Sequence, residues 1–232
     1  MSLLTIAQDA AREIGITPPD TIIGSSEANA ITLRGIAQRV GRSLARRATW
    51  QKITKQTTFA TVASTVTYDL ASDFDWYLPE TMFNRTRNRR VHGPISESMW
   101  QQIQASLTTL VNPGFRFRGG QILISPTPSS AETVAYEYIS TQWCEASGGT
   151  DQSTWTADTD LPLFGEELHI LGIVWRFKQS KGMDYSEAFR NYEAELNMAM
   201  IRDGARPRID TGPISSDRIP VPPQTPETYV FS

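Results

Sequence analysis

Apolar residues recur at helical spacing towards both ends of the chain and alternate with polar ones through its middle. The clearest run is 163–203, where Phe164, Leu168, Leu171 and Trp175 step by four, three and four residues and Ile170, Val174 and Phe177 make a second stripe. Two stripes on one helix mean cover on more than one side, so the spacing predicts a central, buried helix. Gly182 breaks it. Asp184 is placed to cap a second helix, in which Tyr185, Phe189, Tyr192, Leu196 and Ala199 form one stripe opposite Glu187, Arg190, Asn191, Glu193 and Asn197. The pattern predicts an antiparallel helical hairpin with one arm buried and one half exposed.

The same period opens the chain. Residues 3–14 read as a short amphipathic helix with Leu3, Ile6, Ala10 and Ile14 inside and Gly15 as its stop. A longer helix is expected over 27–48, capped by Ser25 or Ser26, with Leu33, Ile36, Ala37, Val40, Leu44 and Ala48 facing in. At roughly 100° per residue, Arg34, Arg39, Arg42 and Arg46 all fall on its opposite side, a basic stripe with an apolar back.

After Trp50 the period shortens to that of strands. The stretch 55–70 offers Thr and Val on either side of a short turn at Ala63 and Ser64, 73–80 (DFDWYLPE) reads as a loop, and 83–91 (FNRTRNRRV) suits an exposed or edge strand. Ser96 is placed to cap a single helix leading to Trp100 and Ile103. The alternation Phe115, Arg116, Phe117, Arg118, then Gly119-Gly120, then Ile122 to Ile124, is a hairpin signal, and 132–140 supplies a further alternating strand. From 141 to 158 the composition turns to Gly, Ser, Thr and Asp with Trp143 and Trp155, which reads as a long surface loop. Beyond Gly204 the chain carries Pro207, Pro213, Pro220, Pro222, Pro223 and Pro226 and no apolar period, so 204–232 reads as an extended arm. It ends in Tyr229, Val230 and Phe231, an apolar group suited to docking on a partner.

These elements give an α+β fold. A helical bundle made of 3–48 and 163–203 holds an inserted antiparallel β region, 52–140, and the loop 141–158; together they form one domain, 1–203, followed by the arm.

Composition adds the charge pattern. The net charge is only −3, yet 28–130 holds thirteen basic and five acidic residues while 131–203 holds five basic and thirteen acidic. Either two complementary faces meet between copies, as in a head-to-tail ring, or the halves neutralise each other inside one fold. The single cysteine, Cys144, excludes an intramolecular disulfide and a cysteine-based zinc site. No apolar run approaches the roughly 20 residues of a membrane span and no signal-peptide core is present, so the expectation is a chain made in the cytoplasm.

Little in the sequence points to catalysis. His92 and His169 lack ligand partners at zinc spacing, and no phosphate-cradling glycine loop or nucleophile elbow is present. His169 reads as a structural histidine, His92 as a turn residue, and the pairs Asp73 with Asp75 and Asp158 with Asp160 as solvated loop acids. Neither a catalytic residue nor a cofactor or metal site is expected. Nucleic-acid contact rests on the basic helix alone, since 28–67 holds seven positive residues and no acid, with Arg85, Arg87, Arg89 and Arg90 as a second cluster.

Five segments carry a resemblance: REIGITPP at 12–19, RATW at 47–50, FATVASTVTYDLASDF at 59–74, RGGQILISPTP at 118–128, and LGIVWRFKQSKGMDYSEAFRNYEAEL at 171–196. In their order and content the chain resembles the head-to-tail adaptor proteins of tailed bacteriophages, the group that includes the tail tubular and gatekeeper-type adaptors of short-tailed phages. The resemblance implies a virion structural protein with no catalytic site. It implies a homo-oligomeric ring, usually a dodecamer, at the head-tail junction, contacting the portal protein and a tail or nozzle protein. Genomic DNA then passes through the channel without sequence-specific binding, and no membrane is involved. In that setting Arg34, Arg39, Arg42 and Arg46 are candidates for a subunit or channel surface, and Tyr229, Val230 and Phe231 for a docking arm. The alternative from the residues is a DNA-binding or DNA-packaging accessory protein using the basic helix 27–48.

Overall fold

The computed structural model describes residues 1–105 and 113–207. The fold is α+β, with five helices and antiparallel sheets among those residues. It divides into two compact units. One takes in Met1–Thr57, Ala71–Leu78 and the described residues from 137 on; the other takes in Thr58–Leu70 and the described part of Pro79–Tyr136.

In the first unit, helix α1 (Leu3–Ile14) starts on a Ser2 cap and stops at Gly15, which is left-handed at φ 83°. The backbone N–H groups of Leu3 and Leu4, orphaned at a helix start, donate to the carbonyls of Asp160 and Asp158. Helix α2 (Ala28–Arg47) buries Leu33, Ile36, Ala37, Val40 and Leu44, the face its period predicts. Its expected serine cap is corrected. Glu27 occupies the cap position and Ser25, two residues earlier, accepts the Glu27 N–H rather than an N–H of the helix itself.

After helix α3 (Glu97–Ala105) in the second unit, α4 (Glu166–Ser180) and α5 (Ser186–Asp203) return to the first. Helix α4 packs against α1, α2 and α5 and buries Leu168, Ile170, Ile173, Val174, Trp175 and Phe177. It is the central element its two stripes predict. Gly172 permits the close approach to α2, because a Cβ there lies 2.7 Å from Val40 Cγ1. The stripe on α5 is shifted from its predicted position. Ala188, Tyr192 and Leu196 are buried, while Tyr185 and Phe189 stay 38% exposed at the rim of Trp175, with ring centroids 6.4 and 5.2 Å away.

The segment expected as a surface loop, 141–158, is corrected. It contributes Cys144–Glu145 and Asp151–Gln152 to a three-stranded sheet completed by Leu161–Pro162. Trp143 and Trp155 are buried, edge to face at 5.0 Å. Two indoles are a large apolar payload, and their burial outweighs the polar composition around them. The loop expected over DFDWYLPE is also corrected, since Phe74–Tyr77 is a strand paired antiparallel with residues 138–140 of the strand Thr133–Ser140.

In the second unit, the predicted hairpin forms from Gly114–Arg118 and Gln121–Ser125, turning on Gly119 and Gly120 at φ 59° and 76°. Both positive angles suit a tight hairpin turn. Thr67–Asp69 adds to the same sheet. The single strand expected over 83–91 is corrected to a short hairpin: Phe83–Asn84 pairs with the edge strand Arg89–Arg90 across a turn at 85–88, and with residues 134–135 of Thr133–Ser140. Thr133–Ser140 does not alternate. Six of its eight residues are buried, so it is covered on both faces. Ser96 caps α3 through the Met99 N–H, as its position predicts.

The start of the proposed arm is structured. Arg206–Pro207 pairs antiparallel with Ala48–Thr49. Residues 208–232, with Tyr229, Val230 and Phe231, lie outside the described residues.

Candidate functional site

The arginine stripe predicted on α2 forms. Arg34, Arg39, Arg42 and Arg46 are all exposed. None has an ion-pair or hydrogen-bond partner among the described residues, whereas Arg47 at the end of the helix pairs with Glu193 at 3.0 Å. A fifth arginine, Arg176 of α4, joins the same region. Its Nη2 donates to Ser43 Oγ at 3.0 Å and its guanidinium lies over the Trp175 ring at 4.5 Å. Burial lowers the Arg176 pKa, and the neighbouring Arg39 charge acts in the same direction. Sequence periodicity misses Arg176 because it lies between two apolar stripes on a buried helix.

At the Arg42 and Arg46 end of the stripe an open cleft of about 140 Å³ is walled by those two guanidiniums, the Asp75 carboxylate and the hydroxyl residues Ser140, Thr141, Ser153 and Thr154. Arg42 and Arg46 bring two positive charges to it against one carboxylate, and the Ser140 hydroxyl is already donated to Asp73. Such a wall suits carboxylate or phosphate oxygens.

The acids behave differently from the arginines. Lys55 lies 2.7 Å from Asp151 and 3.2 Å from Asp73. Burial disfavours its charge, but the two carboxylates outweigh that and raise its pKa. Burial likewise works against the Asp73 carboxylate, yet hydrogen bonds from Tyr138, Ser140 and Lys55 bring its pKa below the ordinary value. Asp158 accepts the backbone N–H groups of Ile22 and Ile23, and Asp160, 1% exposed, accepts those of Thr156 and Ala157. The reading of Asp73, Asp158 and Asp160 as solvated loop acids is therefore corrected: each is held by hydrogen bonds inside the fold. Glu132 takes Asn84 and Arg87, Asp203 takes the Gln51 N–H, and Glu166 meets the amino terminus. Much of the second half's acidity is thus spent inside its own chain.

His169 is fully buried between Trp143, Trp155 and Phe164, with centroids 6.1 to 6.4 Å away. Its Nδ1 contacts the Gly165 carbonyl at 3.2 Å, and its Nε2 has no hydrogen-bond partner among the described residues. Burial pushes its pKa down to about 4. Cys144 is buried as well; burial raises its pKa to about 12, and its Sγ donates to the Gln152 carbonyl at 3.3 Å. A thiol held protonated is a poor nucleophile. Among the described residues no three His, Cys, Asp or Glu side chains are grouped to hold a metal ion, and no helix is long and apolar enough to cross a membrane. His92 bridges Gly114 through its backbone, and its carbonyl accepts the Phe115 N–H.

The model of the family described as SU10 adaptor protein matches residues 1–217. No curated protein matches the chain. The match spans both units and most of the chain, so the protein belongs to this family of phage head-to-tail adaptors and is a structural component of a virion.

Proposed function

We propose that the chain is the subunit of a homo-oligomeric ring, a dodecamer by its resemblance, seated between the portal protein and a tail or nozzle protein at the head-tail junction. It is made in the host cytoplasm and incorporated there. The helices α1, α2, α4 and α5 act as a bundle around the passage through which genomic DNA moves, and the ring binds that DNA without reading its sequence. The observation that carries this reading is the family match over 1–217. Four arginines on one face of α2 that have no partner among the described residues support it, because an assembly surface or a DNA passage supplies anions to such a face. Residues 204–232 serve as a tether, with Tyr229, Val230 and Phe231 docking on the portal or on a neighbouring copy.

Cryo-electron microscopy of portal-bearing particles with the purified chain added tests the proposal. The expected result is a closed ring of this chain beneath the portal; a chain that neither binds such particles nor assembles on them overturns it.

The same four arginines also favour the second reading, a DNA-packaging accessory. In that case the monomer binds duplex DNA directly. With four phosphate contacts, the affinity falls with a log–log salt slope of roughly 3 to 4.

A further inference from the structure

Helix α2 and helix α5 each present a ridge that α4 does not cover. On α2, Ile31 is 55% exposed, and Gly35 and Arg42 follow it at four and eleven residues, within about 40° of one line along the helix. On α5, Glu187, Ala194 and Met198 are all exposed and lie on a line of the same width, Met198 at 47%. Neither Arg42 nor Glu187 has a polar partner among the described residues. No described atom lies within 4 Å of a Cβ at Gly35.

The two ridges match in reverse order. Ile31 to Gly35 is four residues and Ile31 to Arg42 is eleven; Met198 to Ala194 is four and Met198 to Glu187 is eleven. At 1.5 Å per residue both ridges span about 16 Å. Set antiparallel, they oppose Ile31 to Met198, Gly35 to Ala194 and Arg42 to Glu187. The apolar ends meet, the two smallest side chains meet where the backbones must come closest, and the opposite charges meet at the far end. Close approach at a glycine and an alanine gives an axis separation near the lower end of the usual 8–10 Å.

We infer that the α2 ridge of one copy docks antiparallel on the α5 ridge of the next. The two ridges are different surfaces, so the contact is heterologous and propagates from copy to copy. The inference rests on the ring reading above and gives it a specific seam. It also narrows the expected meeting of a basic half with an acidic half to one carboxylate, Glu187.

Cysteines placed at the central pair test it. Gly35→Cys and Ala194→Cys are made singly and together in the full chain, and oxidised with copper phenanthroline under assembling conditions, alone and on portal-bearing particles. Cys144 is buried and stays out of the reaction. The double variant should give a ladder of covalent multimers, an equal mixture of the single variants a covalent dimer, and each single variant only background. Circular dichroism and the thermal midpoint check that every variant is folded. In parallel, Arg42→Glu and Glu187→Arg should each lower the assembled fraction several-fold at low salt, and the two together should restore it. An arginine that faces DNA phosphates is not rescued by a change at Glu187. Assembly without the 35–194 cross-link, or an unrescued double reversal, overturns the seam and leaves the ring standing. Absence of assembly in both settings overturns the ring and the seam together.

Discussion

Two glycines six residues apart on α2 should respond in opposite directions to the same substitution. Gly41 lies beneath Trp143, and a Cβ added there falls deep inside contact distance of three atoms of the six-membered indole ring. The ring cannot swing out, because Trp143 is 1% exposed and abuts Trp155 and His169. Carbon atoms settle at about 3.5 to 4.0 Å, so the ring or the helix has to move by about 1 Å or more. Overpacking of that kind costs up to about 3 kcal/mol, and the better helix propensity of alanine returns about 1. Gly41→Ala should therefore destabilise by about 2 kcal/mol, lowering the thermal midpoint by roughly 4 to 8 °C for a chain of this size. Gly35→Ala gains the propensity and meets no atom, so it should raise the midpoint by roughly 2 to 4 °C when the parent and variant are both monomeric. Urea melts with an unchanged slope would assign both shifts to stability. Trp143→Phe removes the clashing atoms, so combining it with Gly41→Ala should cost less than the sum of the two. A Gly41→Ala variant as stable as the parent would refute the close packing of α2 on Trp143.

The His169 imidazole, held near a pKa of about 4 when folded, takes up a proton near pH 6.5 when unfolded. The unfolded state is protonated first, so its contribution is complete above about pH 6.5, falls as pH drops towards 4 and levels off below; the loss reaches up to about 3 kcal/mol. Urea midpoints across that window should flatten in His169→Phe. Leu168→Ala, at 1% exposure, should cost about 2 to 5 kcal/mol, whereas Leu171→Ala, at a half-buried position, should cost distinctly less; equal losses would refute the assigned faces of α4. A cut after Pro207 keeps the pairing with Ala48–Thr49 and should leave the midpoint unchanged while abolishing docking on portal-bearing particles. A cut after Asp203 should also lower the midpoint, and normal docking by either form would exclude the tether.

What the sequence made legible was what local periodicity can carry. Helix α1 from Leu3 to Ile14, the inner face of α2 and the Gly119-Gly120 hairpin each depend on neighbours within a few residues, and each forms as its spacing predicts. The misread elements depend on distant partners. Phe74–Tyr77 becomes a strand through residues 138–140, and 141–158 enters the core because Gly41 opens a place for Trp143. Asp158 and Asp160 read as loop acids until the N–H groups at 22–23 and 156–157 arrive beside them. The arginine stripe was legible as an angle on a helix, but Arg176, contributed through Ser43, was not.

The contrast between basic and acidic halves has a physical resolution that neither initial explanation contains by itself. If the halves simply neutralised each other, the arginines of α2 would be paired with the acids of 131–203, and four of them have no partner among the described residues. If they formed two equal complementary faces, the acids would be exposed and available. Instead Asp151 holds Lys55, Glu193 holds Arg47, Glu132 holds Arg87, and Asp158, Asp160 and Asp203 satisfy backbone N–H groups. The acidic half is largely structural and the basic helix is largely unspent. A seam through Glu187 would use one arginine per copy and leave Arg34, Arg39 and Arg46 without an ion-pair partner among the described residues. In the proposed ring those residues would concentrate positive charge at fixed spacing, screened over about 8 Å at physiological salt. A surface of that kind holds phosphates through charge alone and carries no base contacts, which lets DNA slide past it.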